Sequence, residues 1–565
     1  TVSATAVATV RIAKRSIRGV RILAVVAVSL LVAVRGIEAQ RAKVGGLPAA
    51  IYVGSEAENY LRSLQTLGLV PDYPWSVRAF SPYELDRLAA ADSGHPWAGS
   101  ALLDRDVLRW SGVRFEFAPV ETRVWYNSAF PYGMNDGAVW AGRGMTTAIQ
   151  VGAAARWGPV TAVVAPTLFW AENRAFALFA NGQTGVLKYG DAFFGNVDRP
   201  QRFGARAYGA WDPGESQLRA DMFGVATGFS TAHEWWGPMS EFPFVLGTNA
   251  AGFPHAFFGT SRPLDVGIGQ VHGRVIYGRL DDSRYSVSIG QKRRFASGMV
   301  GVLKPRGFGG LELGATRFFH STWPDSGLTS SYFTHLFETF IKKKLRKVFD
   351  PDPNGPNQSR DNQLASGFVR WPFANGIEVY AEYGREDHNW DTRDLIVEPD
   401  HSATFGYGLR KSWHGSPWTL TTLLLESINS EAMGLGRHRG GAGAYLHTWA
   451  PQGHTQRGQL LGAPIGVPYG ASVSARFERF TPEGSQALSY SRSVTGELRN
   501  PIDVQHAARW ERRRIGRSII LNTTFGVVYE MNRYYERDAI NLQASLGARF
   551  ISRKRPQPVE PRGGS

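Results

Sequence analysis

The sequence predicts an all-β protein, a transmembrane antiparallel β-barrel of about 16–18 strands behind a small α-helical module. Three observations carry that prediction. From about residue 111 to 551 the hydrophobic period is 2, not 3.6. The polar face of those strands carries paired charges of both signs, which suits a lumen better than a soluble sandwich, whose core is about 10 Å thick. Short turns alternate with long connections near 171–217, 232–265 and 321–364, as in barrels with short inner turns and long outer loops.

Composition fits a folded chain. Of 565 residues, 43% are hydrophobic, 12% aromatic and 20% charged, which excludes disorder and collagen. No cysteine is present, so disulfides, thiolate metal sites, iron–sulfur clusters and cysteine nucleophiles are excluded. The 17 Trp and 20 Tyr are enough for aromatic girdles at both membrane surfaces.

Residues 1–39 read as a secretory signal. Arg11, Lys14, Arg15, Arg18 and Arg21 precede the apolar run from Ile22 to Val34, and Ile37-Glu38-Ala39 supplies a small-residue cleavage site. The run is too short for a spanning helix, which needs about 20 apolar residues. Removing this segment takes away six Lys/Arg and one Glu, so the net charge falls from +15 to +10. An exported chain has no access to nucleic acid, so anionic glycans or lipopolysaccharide headgroups are the natural counter-charges.

Residues 40–110 form the helical module. Ser55 with Glu58, and Ser81-Pro82 with Glu84, are capping boxes that open helices at about 56 and 82. A third short helix is expected from Ala101 to Val107. Helices this short bury little alone, so they are expected to pack on the barrel.

Residues 111–551 are the barrel and 552–565 a polar tail. The hairpin around Ala374-Asn375-Gly376 shows the logic. Its register sets Val369, Trp371 and Phe373 against Ala381, Val379 and Ile377 on the outward face. Phe368, Arg370, Glu378, Tyr380 and Glu382 then point inward as an Arg–Glu–Tyr network. A second hairpin turns at Trp157-Gly158-Pro159, and Tyr285 to Ile289 alternates as a strand. The final strand ends near Phe550, a finish of the kind read by the barrel assembly machinery, although a polar tail follows.

Several segments, in order, resemble the Wzi-like capsule-assembly family of outer-membrane barrels. They are Tyr73-Pro74-Trp75-Ser76-Val77-Arg78-Ala79-Phe80-Ser81-Pro82, His233-Glu234-Trp235-Trp236-Gly237-Pro238, Thr248-Asn249-Ala250-Ala251-Gly252-Phe253-Pro254-His255, Asp361-Asn362-Gln363-Leu364 and Glu378-Val379-Tyr380-Ala381-Glu382-Tyr383-Gly384-Arg385-Glu386-Asp387. The resemblance implies about eighteen strands, a helical module on the periplasmic side, and a lectin-like role at the cell surface.

Glycan recognition needs flat aromatic faces and planar polar groups. Trp235, Trp236, Glu234, His233, Asn249 and His255 supply both within one long connection; the alternative is that the tryptophans pack that loop inside the barrel. Arg370, Glu378, Tyr380, Glu382, Arg385, Glu386 and Asp387 either line a glycan or ion path or brace the wall. Asp350-Pro351-Asp352-Pro353-Asn354-Gly355 with Asp361 has part of a calcium-loop skeleton, but prolines interrupt it and the last ligand is Asp, so it reads as a surface loop. Basic runs at 341–347 and Arg509–Arg517 suit anionic lipid or polysaccharide, or a solvated face. No catalytic motif, metal site or cofactor site is expected: His233-Glu234 lacks the second His of a zinc helix, and no G-x-S-x-G elbow or phosphate loop is present. The expectation is a non-enzymatic polysaccharide-binding barrel in the outer membrane; the alternatives are a porin-like channel and, behind it, a surface hydrolase.

Overall fold

The computed structural model describes residues 40–43, 47–49, 51–78, 80–88, 94–100, 102–103, 106–192, 197–286, 293–337, 361–373, 375–386, 392–416, 418–430, 443–447, 450–467, 469–496, 502–534 and 537–551. The expected signal segment, the polar tail, the 341–347 run, most of the Asp350 loop and Asp387 lie outside the described residues.

Alternation along each strand leaves one face apolar and one polar, and eighteen such strands close on themselves. They run from Val113–Asn127 and Gly144–Trp157 through segmented strands, Val160–Val164 with Thr167–Ala171 and Tyr208–Asp212 with Gln217–Met222, to Val225–Ser230 and His255–Thr260. Gly269–Leu280, Arg294–Pro305, Glu312–Thr322, Asp361–Phe373, Ile377–Glu386, Ala403–Ser416 and Thr419–Asn429 follow. Tyr469–Thr481, Gly484–Gly496, Asp503–Ile515, Ile519–Arg533 and Arg537–Phe550 complete the wall. The last strand pairs antiparallel with the first, Leu546 against Val124 and Ala544 against Tyr126, so the wall closes.

The outward face is largely apolar. Ile540, Leu542, Leu546 and Phe550 are at least half exposed, as are Leu488 and Phe525 on neighbouring strands. Groups of this kind face lipid in a spanning barrel. The hairpin at 361–386 has the expected register: Val369, Trp371 and Phe373 pair with Ala381, Val379 and Ile377, and Gly376 takes φ +81° in the turn.

Two expected elements differ. Asp106–Trp110 is a strand, not the end of a helix: it pairs with Val113–Asn127 through Ser111 and Gly112, both at positive φ, and its other edge takes Gln40–Lys43. A Ser-Gly pair between alternating segments is a primed hairpin turn, and that local signal outweighs helix propensity. Tyr285 lies in a connection; its ring is buried and meets Phe203 edge-on, while residues 287–292 are outside the described set.

Helix α1, Glu56–Gln65, and helix α2, Pro82–Arg87, sit at the short-turn end. Ser55 caps α1 by accepting from the Glu58 N–H at 3.3 Å, while Glu58 reaches back to the Gly54 N–H at 2.8 Å. Ser81 and Glu84 form the full reciprocal box on α2. The module's apolar residues, including Tyr60, Leu64, Trp75 and Trp97, bury against Leu420, Phe480, Ile515 and Ile520 of the inner wall. It is therefore a plug. From the long-loop end, residues 231–254, 443–447 and 450–467 fold into the lumen, where Trp236, Met239, Phe242, Phe244 and Tyr445 pack on Ile276, Phe318, Phe368 and Ile428.

Candidate functional site: a braced joint and a charged cavity inside the barrel

Plug and loop meet midway. Trp235 and Trp236 pair as a two-residue strand with Arg78 and Val77 of the plug, and the Gly237 N–H donates to the Ser76 carbonyl at 2.9 Å. Gly237 has φ +94°, and a Cβ there would lie 2.7 Å from a Glu382 carboxylate oxygen. Only glycine fits that crossing without rearrangement.

This joint places most of the residues expected to bind glycan. Trp235 is 2% exposed and Trp236 fully buried. The Trp235 indole donates to the Met239 carbonyl at 2.9 Å, and the Arg78 guanidinium lies 4.4 Å over its ring. The Trp236 indole donates to Glu234 at 3.2 Å, and Arg274 binds the same carboxylate at 2.6 Å, with His255 at 3.5 Å. Burial would raise the Glu234 pKa, but Arg274 and His255 hold it down at about 2. Both tryptophans pack the loop inside the barrel.

His233 contacts Glu215 through one ring nitrogen and the Ala250 carbonyl, at 2.9 Å, through the other. Burial opposes its charged form, but Glu215 shifts the balance and raises its pKa. Asn249 donates to the Leu460 carbonyl at 2.9 Å and ties two loops together.

The hairpin network braces the plug. Arg370 binds Glu312 and Glu378, and donates to Gln65 of α1 at 2.8 Å. Arg62 of α1 donates to Glu378 at 2.9 Å, to Ser240 at 3.1 Å and to the Pro238 carbonyl at 2.7 Å. Tyr380 donates to Glu426, which also accepts the Ser240 and Glu241 N–H groups. Plug, loop and wall are thus held by one buried cluster of ions. Glu382 lies buried beneath Gly237, and Arg385 donates to the Pro399 carbonyl at 3.1 Å near the loop end, where Glu386 is also buried.

Beside the joint lies a cavity of about 240 Å³. Its walls come from the plug (Glu56, Asn59, Arg78), from two loops (Asp136, Glu241) and from the strands (Arg123, Arg410, Arg476, Glu478, Arg509, Glu511). Arg476 is bidentate to Glu511 at 2.8 and 2.9 Å and also reaches Glu478 at 3.1 Å. Burial and the nearby Glu426 push the Glu241 carboxyl up to about 7, against the pull of Arg476 and Arg509. Arg476 and Glu478 are visible in sequence as the polar half of an alternating strand. Their convergence with Glu241 and Asp136 depends on loops that no period describes.

At the long-loop end, two loops bring basic groups to the surface over a half-buried Tyr189 and a buried Tyr285. Lys188 lies 5.1 Å over the Tyr189 ring, Arg284 lies 5.5 Å over Tyr285, and the two tyrosines meet edge-on at 6.1 Å. Lys188 and Arg284 are exposed. The only sequence trace of this patch is a repeated basic–Tyr dipeptide in two separate connections.

No family model and no curated protein sequence matches the chain. Among solved structures, the fold is similar to that of Wzi, described as an outer-membrane protein involved in group 1 capsule assembly in Escherichia coli and a carbohydrate-binding β-barrel. The match has a TM-score of 0.56 at 13% identity and covers 90% of this chain and 100% of that one. A BenF-like porin from Pseudomonas fluorescens Pf-5 aligns with a TM-score of 0.36 at 10% identity, over 78% of this chain and 99% of the porin. The chain is an eighteen-stranded antiparallel β-barrel with the Wzi fold.

Proposed function

We propose that this barrel binds capsular or other extracellular polysaccharide and helps attach or assemble it at the cell surface, without catalysis. The observation that carries the reading is the likeness to the Wzi fold over 90% of the chain, since the matched structure is described as carbohydrate-binding. Two features support it. The plug–loop joint fills the lumen with a paired and ion-braced crossing, an arrangement suited to holding loops still more than to passing solute. The processed chain keeps a net +10, and Lys188, Tyr189 and Arg284 offer an aromatic face with flanking cations, the chemistry that recognises an acidic sugar.

In this reading Trp235, Trp236, Glu234, His255, Arg370 and Glu378 hold the presenting surface in place, and the exposed loop groups make contact. Other partners are lipopolysaccharide and outer-membrane lipid around the wall and the barrel assembly machinery during insertion. Nucleic acid is not among them.

The test is the distribution of surface polysaccharide in a deletion strain, with total synthesis quantified alongside. Unchanged synthesis with shedding into the medium supports attachment; normal cell-associated polysaccharide overturns it. The charged cavity favours a second reading, a channel for small anionic or sugar solutes, and stable conductance of the purified barrel in a planar bilayer would establish that one instead.

A further inference from the structure

The basic run near the end of the chain is split by strand parity. In Asp503–Ile515 the side chains of Arg509 and Arg513 face inward: Arg509 donates to the Tyr132 hydroxyl at 3.0 Å, and Arg513 donates to Asn522 at 2.9 Å and pairs with Glu56 of the plug. Arg512 and Arg514 fall on the opposite, lipid-facing side, and both are exposed. Arg479 is in the same outward row, reached through Gln486 by direct pairing, and Arg517 lies in the adjoining short turn; both are also exposed. Arg479 and Arg512 are therefore about 10 Å apart across two strand spacings, and Arg512 and Arg514 about 7 Å apart along one strand.

Among the described residues none of these four guanidinium groups enters an ion pair or a side-chain hydrogen bond. Glu483, in the turn beside them, is exposed and not paired to any of them. One row further into the membrane band, Phe477 and Leu488 are exposed, and Trp510 stacks on Phe525 at 6.1 Å. The order from the short-turn rim inward is cations, then a mixed aromatic and aliphatic surface. A lipid presents the same order from its end: phosphate, then acyl chain.

We propose that Arg479, Arg512, Arg514 and Arg517 form a binding site for the phosphodiester headgroup of an anionic glycerophospholipid in the inner leaflet of the outer membrane. Charge complementarity selects the occupant. Guanidinium groups bind phosphate oxygens in a planar, bidentate manner, and each cation near an anionic membrane surface adds attraction that falls off within a Debye length. The patch lies on the face that a membrane covers, which favours a lipid over a soluble polysaccharide. The strand that carries inward Arg513 to the plug thus carries outward cations to the bilayer, so one short segment fixes both the plug and the barrel's depth in the membrane.

The test uses the full-length folded barrel in neutral detergent, titrated by native mass spectrometry with phosphatidylglycerol and, separately, with phosphatidylcholine of the same acyl chains. The expected result is retention of phosphatidylglycerol about tenfold tighter than phosphatidylcholine. That preference is lost in Arg479→Gln/Arg512→Gln/Arg514→Gln/Arg517→Gln and kept in Arg492→Gln, an exposed arginine at the other end of the wall. Heat-modifiable migration on a denaturing gel reports folding. If the quadruple variant does not fold, the pairs Arg479→Gln/Arg512→Gln and Arg514→Gln/Arg517→Gln should each lower the preference several-fold. Equal retention of the two lipids by the unmodified barrel, or a preference that survives charge removal, overturns the proposal. So does full displacement of the lipid by soluble glycerol phosphate at equal concentration, which would mark a phosphate site and not a lipid site.

Discussion

The Arg370–Glu378 cluster and the Arg476–Glu511 cluster use the same residue types on the same inward face, yet they do different work. The first is sealed: Arg370, Glu312, Glu378 and Arg62 are fully buried, and their hydrogen bonds join wall, plug and loop. The second borders the cavity, where Arg476 and Glu511 keep 23% and 31% side-chain exposure. An inward charge on a barrel strand is therefore not by itself a ligand contact. What decides its role is whether another part of the chain reaches it first.

The largest expected effect comes from breaking the sealed cluster. Arg370→Met leaves Glu312 and Glu378 buried with part of their compensation gone, so the barrel should lose about 3–5 kcal/mol of stability. Arg476→Met leaves carboxylates that water can reach, and about 1 kcal/mol or less is expected. Equilibrium unfolding in detergent, followed by tryptophan fluorescence, distinguishes the two; equal losses would mean that the cavity is as closed as the joint.

Next is Trp236→Ala, which removes a fully buried ring from the plug–loop crossing and should cost about 3–5 kcal/mol. Polysaccharide binding by whatever barrel still folds should fall through loosened loops. If Trp236→Ala folds with full stability but loses binding, the indole contacts ligand directly and the assignment of this ring to packing is wrong. By contrast Lys188→Gln/Arg284→Gln touches only the surface patch. It should leave the unfolding midpoint within about 0.5 kcal/mol of the parent and weaken binding of an anionic polysaccharide several-fold in a salt-dependent manner. Unchanged binding would move the contact surface elsewhere.

These expectations follow the line between what the chain states locally and what it states only in three dimensions. Alternation at 540–550 and 519–530 is enough to separate lipid from lumen, and the Asn375-Gly376 turn is enough to set the register of Arg370 against Tyr380. The capping residues of α1 and α2 are equally local. The Ser111-Gly112 turn is local too, but the expected helix from Ala101 to Val107 runs against it. Neither the placement of Trp235 on Arg78 nor the approach of Glu241 to Arg476 and Glu511 is written in any window of sequence. Both arise because a loop of more than twenty residues folds back into a lumen whose dimensions only the closed barrel defines. An aromatic pair flanked by Glu and His looks alike whether it will bind sugar or a neighbouring strand.

The smallest effect tests the cavity's electrostatics through Glu241. Its carboxyl has an ordinary value of 4.5 and is pushed up to about 7 in the folded barrel, by burial first and by Glu426 second. Between these values the folded state binds a proton that the unfolded chain does not, so stability should fall as pH rises from about 4.5 to 7 and level off above. The opposite slope would be expected of a carboxylate held low by a cation, as Glu234 is by Arg274. Glu241→Gln removes the titrating group while keeping its shape. That variant should match the parent near pH 4.5 and exceed it at pH 8 by on the order of 1 kcal/mol, solvent at the cavity wall screening the rest. Unfolding midpoints measured across that range would show the two curves separating only on the alkaline side. Parallel curves would mean that Arg476 and Arg509 already neutralise Glu241, making the cavity electrostatically as closed as the Arg370 joint.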